Sequence, residues 1–286
     1  MATRTPKGTW KAKADGDSLE STSFSANAGD ALIVFVGNQT QNVPTSVTWG
    51  TGSPHSGRDL IKTAHVVNTT SGLTGSIWIA RKLVNTATRT INVKWPTSIG
   101  ARAMAAVTLD NGHIRDQFTT TPQQATAAPS VGPTSALSTI DGYGFGLLVM
   151  EGPSSDIAPS VSASPTDWLV GQTDGTVGPP PISNITIYEF YKQLDSANAL
   201  TLSTSAGASP EVPRDWANIL VGYRVIRDTV PIDVNGSEIL VGDTVKYNID
   251  GATSTVSSFT SPSGHPYVKV TLANGLVYNA HTLEVI

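Results

Sequence analysis

Residues 28–36 read AGDALIVFV and residues 141–149 read DGYGFGLLV, in each case a glycine turn followed by a near-continuous apolar run. Such a run is typical of a central β-strand that is buried on both faces. Further strand patterns recur in the same order, in the pairs 77–83 with 187–194 and 103–109 with 216–223. The offset between the copies is roughly 111 to 114 residues, so we interpret the chain as two related halves.

The two halves predict an all-β fold, a jelly-roll-like β-sandwich built from both. Four or five recognisable strands per half are too few to cover both faces of a sheet, so we expect one shared sandwich. The chain holds 26 Gly and 18 Pro, and only 14% of it is charged, which predicts many turns and little helix. The predicted organisation is a basic N-terminal arm at 1–19, the sandwich at 20–226 and a small barrel at 227–286.

The first 13 residues carry four basic side chains and no acidic one, namely Arg4, Lys7, Lys11 and Lys13. The totals of 18 basic and 22 acidic residues leave 14 against 22 for the remainder, a net charge of −8. An acidic body makes a poor groove for phosphates, so we expect no nucleic acid as partner. We predict that the arm orders only when it docks on a neighbouring protein; a frayed, solvated terminus is the alternative.

The six tryptophans fall into two groups. Trp10, within the arm, and Trp49 lie in polar surroundings and are the candidate partner-binding aromatics. The others lie inside or beside apolar runs and are predicted to be core residues, namely Trp78, Trp95, Trp168 and Trp216. The Pro-containing segments 119–139 and 171–183 are predicted to be exposed loops, with contacts in an assembly as the alternative.

The residues that usually carry chemistry are sparse. The absence of Cys excludes disulfides, thiolate nucleophiles and Cys-zinc sites. The histidines, at 55, 65, 113, 265 and 281, lack metal-ligand spacing and are expected in loops or on the surface. Asp15 and Asp17 hint at calcium, but later acidic ligands are missing, so a solvated turn is the preferred interpretation. We therefore predict no catalytic residue, no cofactor and no metal.

A glycan-active enzyme remains an alternative, because two carboxylates could converge in space from Glu151, Asp156, Glu189 and Glu211. Glu189 lies between Tyr188 and Phe190 in a strand pattern. Strand alternation places Glu189 on the face opposite its two neighbours, so we expect an outward, solvated carboxylate.

The C-terminal segment contains VGDTV at 241–245 and, after the Asn274-Gly275 turn signal, GLVY at 275–278. These motifs resemble the first and fourth strands of SH3-like barrels of the Tudor and KOW type, which implies a small five-stranded barrel. Residues 228–286 carry two basic and six acidic residues, a net −4, which again argues against a nucleic-acid ligand.

A Cys-free chain rich in Ser, Thr and Gly, with the strand patterns at 28–36 and 77–95, resembles the accessory structural proteins of tailed-bacteriophage particles. That resemblance implies a non-enzymatic virion protein, most simply a capsid decoration or cement protein, whose partner is the major capsid protein or another virion protein. It also implies a homo-oligomer, for which we predict a trimer, made in the host cytoplasm.

Other features of the sequence bear on location and on a second function. No stretch approaches the ~20 apolar residues of a membrane span, so no membrane is expected. The alternative function is a carbohydrate- or receptor-binding module of a neck, tail fibre or cell-surface protein, with Trp49, Tyr188 and Tyr278 as candidate glycan contacts.

Overall fold

The computed structural model describes residues 3–50, 60–83, 86–126, 128–138, 141–153, 160–161, 168–178, 183–205, 214–225, 239, 242–247, 252–260 and 268–286. The fold is all-β and sandwich-like, and the described residues contain no α-helix. None of their helical turns is long and apolar enough to cross a membrane. The chain divides into two compact units, residues 1–225 and 226–286.

The first half of unit 1 forms a five-stranded and a three-stranded antiparallel sheet, with a small two-stranded ribbon beside them. Its strands are β1 (Arg4–Ala12), β2 (Gly16–Glu20), β3 (Phe24–Ala26), β4 (Ala31–Asn38), β5 (Ser46–Trp49), β6 (Ile61–Asn68), β7 (Leu73–Ala80), β8 (Ala87–Arg89), β9 (Ile91–Ile99) and β10 (Arg102–Leu109).

The second half repeats this arrangement with β11 (His113–Thr126), β12 (Ser130–Val131), β13 (Gly142–Glu151), β14 (Ser160–Val161), β15 (Leu169–Gly175), β16 (Ile185–Gln193), β17 (Leu202–Ser205) and β18 (Arg214–Val225). The large sheets run β1-β10-β4-β7-β6 and β11-β18-β13-β16-β15, and the small ones run β2-β9-β5 and β12-β17-β14. The large and small sheets of the two halves therefore match in strand number and order, while the β3-β8 ribbon has no counterpart among the described residues of the second half. In each half the first strand lies beside the last.

The halves stack in four layers rather than the two that we predicted. Alternation along β4 sends Ile33 and Phe35 into a central core between the large sheets, and Leu32 and Val34 into an outer core beneath the small sheet of the first half. A third core lies beneath the small sheet of the second half and contains Trp168. The prediction of a strand buried on both faces is confirmed for β4, in which every residue is buried.

The stacking has an approximate two-fold symmetry. β1 of the first half packs against β15 of the second, and their counterparts β11 and β6 pack together at the opposite side. Between them β4 contacts β13, with the rings of Phe35 and Phe145 5.5 Å apart. A Cβ added to Gly37 would lie 2.6 Å from Ile187 Cγ2, so this glycine is what allows the large sheets to approach closely.

Two sequence-based predictions are wrong where the structure describes the residues. The arm is a strand over Arg4–Ala12, paired along most of its length with β10, and it is part of unit 1 without any partner. The predicted loops are also partly strand, since residues 119–126 belong to β11 and residues 171–175 to β15. In these segments the proline and threonine residues belong to edge strands, whose backbone groups on one side have no neighbouring strand.

Unit 2 contains one five-stranded antiparallel sheet in the order β22-β21-β20-β19-β23. Its strands are β19 (Thr244–Lys246), β20 (Thr253–Thr260), β21 (Lys269–Leu272), β22 (Val277–Asn279) and β23 (Glu284–Val285). A 3₁₀ turn, Ala280–Thr282, joins the last two strands, and Gly275 takes the left-handed conformation in the turn before β22. The small core includes Val245, Val270 and Leu283.

Candidate functional site

Arg4 of β1 forms a buried ion pair with Glu189 of the second half of the chain. Arg4 Nε and Nη2 donate to Glu189 Oε1 at 2.9 and 2.7 Å, and Nη2 donates to Oε2 at 2.7 Å. The side chains are only 9% and 1% exposed, and the guanidinium lies 4.1 Å from the centroid of the Tyr191 ring. Gln172 N donates to Glu189 Oε2 at 2.9 Å. We call these four residues the clasp.

The clasp also bridges β1 and β10 beside the bulge in β1. Gln172 Oε1 accepts the backbone N–H of Gly8 at 3.0 Å, and Gln172 Nε2 donates to Ala106 O at 2.9 Å. A Cβ at Gly171 would lie 2.6 Å from Glu189 Oε2, so glycine is needed to admit the carboxylate.

The remaining arm lysines also face residues of their own chain. Lys11 Nζ lies 2.7 Å from Asp174 Oδ1, and Lys13 Nζ donates to Gly178 O at 3.0 Å. Burial raises the pKa of Asp30, and the nearby charge of Lys7 opposes that change. Arg4, Lys11 and Lys13 are therefore bound within the folded chain instead of being held out for a partner.

The two candidate aromatics belong to one stack. The Trp10 and Phe24 rings lie 5.9 Å apart, the Phe24 and Trp49 rings 6.3 Å, and Arg89 lies 5.4 Å from the Trp49 centroid. Trp49 is 3% exposed, so the prediction that it is a surface contact is wrong. Trp10 is half-buried, and its Nε1 donates to Thr22 Oγ1 at 3.1 Å.

The prediction of core tryptophans is confirmed, since all four are buried, namely Trp78, Trp95, Trp168 and Trp216. The prediction for Glu189 is wrong. Alternation does place its carboxylate opposite Tyr188 and Phe190, but the first half of the chain covers that face.

Arg115 occupies the place in the second half that Arg4 occupies in the first. Arg4 lies opposite Leu109 and Arg115 opposite Tyr223, and each precedes a register shift in the first strand of its half, between Pro6 and Gly8 in β1 and between Arg115 and Gln117 in β11. The facing strands differ at this point. In the clasp, Gly171 of β15 leaves room for the Glu189 carboxylate. In the second half's counterpart, the bulge of β6 carries Thr63 instead, and the Thr63 hydroxyl lies 2.7 Å from the Tyr223 hydroxyl. Burial raises the pKa of Tyr223 well above its ordinary value, so the phenol stays neutral.

Other candidate groups do not converge on a reaction site. Among the described residues, no three His, Asp or Glu side chains gather as metal ligands. Burial raises the pKa of Glu151, with a smaller effect from Asp215, while Asp156 and Glu211 lie outside the described residues. At the predicted solvated turn, the Arg102 guanidinium lies against Gly16, between Asp15 and Asp17, and donates to the carbonyls of Ala14 and Ser18.

One histidine was wrongly predicted to lie on the surface. His113 begins β11, is fully buried, and has its Nδ1 3.0 Å from Asn111 O, while its Nε2 finds no hydrogen-bond partner among the described residues. His65 is exposed, and His55 and His265 lie outside the described residues. Burial lowers the pKa of His113, and Asp110 and Asp141 oppose this only in part.

His113 should therefore make unit 1 less stable in mild acid. The unfolded chain takes up a proton near pH 6.5, whereas the folded chain resists it, so the free energy of unfolding should fall by up to about 1.4 kcal/mol per pH unit below that point. Denaturant unfolding at roughly pH 7.5 and 5.5 measures this loss. In His113→Gln the loss should shrink, whereas His65→Gln, at an exposed position, should change it less. Equal pH dependence in His113→Gln and the parent would contradict the prediction.

The side faces of unit 1 expose apolar side chains on their edge strands. On one face, Leu169 and Val170 of β15 are 54% and 52% exposed, and Val177 follows in the next turn. On the opposite face, Ile61 of β6 and Phe118 of β11 are exposed. Apolar side chains beside unpaired backbone groups are suited to protein contact.

Unit 2 presents a smaller aromatic surface. Tyr247 and Tyr278 are half-exposed with their rings 5.3 Å apart, and Asn274 Nδ2 donates to the Tyr247 hydroxyl at 3.2 Å. Leu276 and Val277 beside them are exposed.

Comparison with protein-family models, with curated proteins and with solved structures finds no match to this chain.

Proposed function

We propose that this chain is a non-enzymatic structural protein that docks on a protein lattice, most simply as a decoration or cement protein of a tailed-bacteriophage capsid. The observation that carries the proposal is the pair of side faces, related by the internal two-fold, whose edge strands expose Ile61, Phe118, Leu169 and Val170. Two related contact surfaces on one chain allow weak contacts to be repeated and summed on a regular lattice.

In this function the partner contacts the side faces of unit 1 and not the basic residues of β1. Arg4, Lys11, Lys13 and Trp10 serve the internal fold, so we no longer assign partner contact to them. The partner remains the major capsid protein or another virion protein, with the particle as the location. A trimer is retained as the proposed oligomer, by analogy with such proteins.

The C-terminal unit is proposed to be an SH3-like barrel. Support comes from its strand order, in which the first strand lies between the second and the last, and from the 3₁₀ turn before the last strand. The alternative glycan-binding function loses two contacts, because Trp49 and Tyr188 are buried; Tyr278, beside Tyr247, is the remaining candidate.

Particle association tests the main proposal. Particles purified on a density gradient from cells that produce the chain should carry it at a fixed ratio to the major capsid protein. Replacement of Leu169 and Val170 by Ser should lower that ratio by about fivefold or more, since each buried apolar side chain contributes about 1.5–3 kcal/mol. The matched control is replacement of Leu276 and Val277 of unit 2. A chain found only in the soluble fraction would contradict the proposal, and binding to a glycan array that Tyr278→Ala abolishes would favour the alternative.

A further inference from the structure

The internal symmetry places two arginines in corresponding positions, and only one of them has an ion-pair partner among the residues that the structure describes. Arg4 forms a two-pronged ion pair with Glu189, a carboxylate supplied by the facing half of the chain. Arg115 faces Thr63 and Tyr223 instead, and no ion pair to it is found among the described residues. The clasp thus shows how an arginine at this position is satisfied when an acidic side chain is present.

Arg115 is placed to receive such a side chain from outside. One of its Nη1 hydrogens is donated to Thr63 O, and the other donors of the half-exposed guanidinium remain available. The guanidinium lies 4.6 Å from the centroid of Phe118, whose side chain is 44% exposed. Both residues lie opposite central-core residues of β18, Tyr223 and Val221, so they project from the same face of β11.

Arg115 is the basic group that this face offers to an acidic ligand. Lys62 and His65 of the neighbouring strand β6 are exposed, but they lie opposite Trp78 and Ser76 and so project from the face of β6 that points away from the central core. Asp116, the acidic residue of β11, directs its carboxylate to Ser138, whose N and Oγ donate to it at 2.7 and 3.0 Å. Arg115 is therefore a guanidinium without an ion-pair partner among the described residues, and it lies beside an exposed aromatic ring.

We propose that the β6/β11 face binds a protein segment in which a Glu or Asp lies next to an apolar side chain. The carboxylate pairs with Arg115, as Glu189 pairs with Arg4, and the apolar side chain covers Phe118 and Ile61. Arginine suits this role because its planar fork binds a carboxylate through two parallel hydrogen bonds. The inference names the chemistry of the partner in the proposed docking function and rests on that function.

A pair of peptides tests the site without the particle. One short fluorescent peptide carries two Glu and two Leu residues among Ser and Gly, and its twin carries Gln in place of Glu. Fluorescence anisotropy with the full chain should show the Glu peptide binding about fivefold or more tightly than the Gln peptide, with the preference weakened by salt. Arg115→Gln should abolish the preference, and Phe118→Ala should weaken both peptides alike. Arg89→Gln, which changes an arginine stacked on buried Trp49, is the matched control and should keep it.

If Arg115→Gln lowers the stability of the protein, a variant with the opposite charge still tests the site. Arg115→Glu should prefer a Lys version of the peptide to the Glu version. Equal binding of the Glu and Gln peptides, a preference that survives Arg115→Gln, or tighter Arg115-dependent binding of a short oligonucleotide would each overturn the proposal. If the peptides show no preference while the chain still purifies with particles, this face is wrong and the docking function stands. If the preference is found but the chain is absent from particles, the particle function alone is overturned.

Discussion

Deletion of residues 1–12 is expected to abolish cooperative folding of unit 1, or to lower its free energy of unfolding by more than about 3 kcal/mol. The deletion removes β1, which pairs with β10, and it leaves Glu189 buried without Arg4. β10, which is buried along its whole length, would become an exposed apolar edge, so aggregation is expected as well.

Thermal unfolding followed by circular dichroism, with light scattering, measures the effect of this deletion. Deletion of residues 1–2, which precede β1, is the matched control and should leave the midpoint nearly unchanged. The sequence alone led to the opposite expectation, that loss of the basic arm leaves the isolated protein as stable as before. A truncated chain that melts at the parent temperature would restore the arm hypothesis.

The strands that were predicted well from the sequence are those covered by other sheets on both faces. β4 and β13 are continuous apolar runs, because large sheets and small sheets cover their opposite faces. β1 gives no such signal: it is an edge strand, half-buried, polar, and interrupted by a bulge between Pro6 and Gly8. Its partners lie about a hundred residues or more away in the sequence, where local pattern carries no information.

The errors at single residues share one physical cause. Alternation tells which residues of a strand share a face, but the layer that covers that face is set by tertiary packing. Glu189, Trp49 and His113 were each predicted to lie at the surface, because the sequence does not show the second layer that covers them. One signal was available for the clasp: Glu189 is the lone acidic residue within the apolar run of β16, and an acid in such a run requires a buried base.

Substitution of Glu189 by Ala should destabilise unit 1 by about 3–5 kcal/mol, the usual effect of removing one member of a buried ion pair. The Arg4 guanidinium would stay buried without its carboxylate, and the N–H of Gln172 would lose its acceptor. The pair of Lys11 and Asp174, in which the lysine side chain is 44% exposed, offers a matched control on the same strand, and Lys11→Ala should cost about 1 kcal/mol or less.

A second variant separates the charge from the packing. Replacing both Arg4 and Glu189 by Met keeps most of the buried volume and removes both charges, so it should recover much of the stability lost in Glu189→Ala. Urea unfolding of the parent, Arg4→Met, Glu189→Met and the double variant closes a cycle that gives the coupling between Arg4 and Glu189. A Glu189→Ala loss no larger than that of Lys11→Ala would mean that the clasp does not hold the halves together. In that case the two large sheets are held by the central apolar core around Phe35 and Phe145.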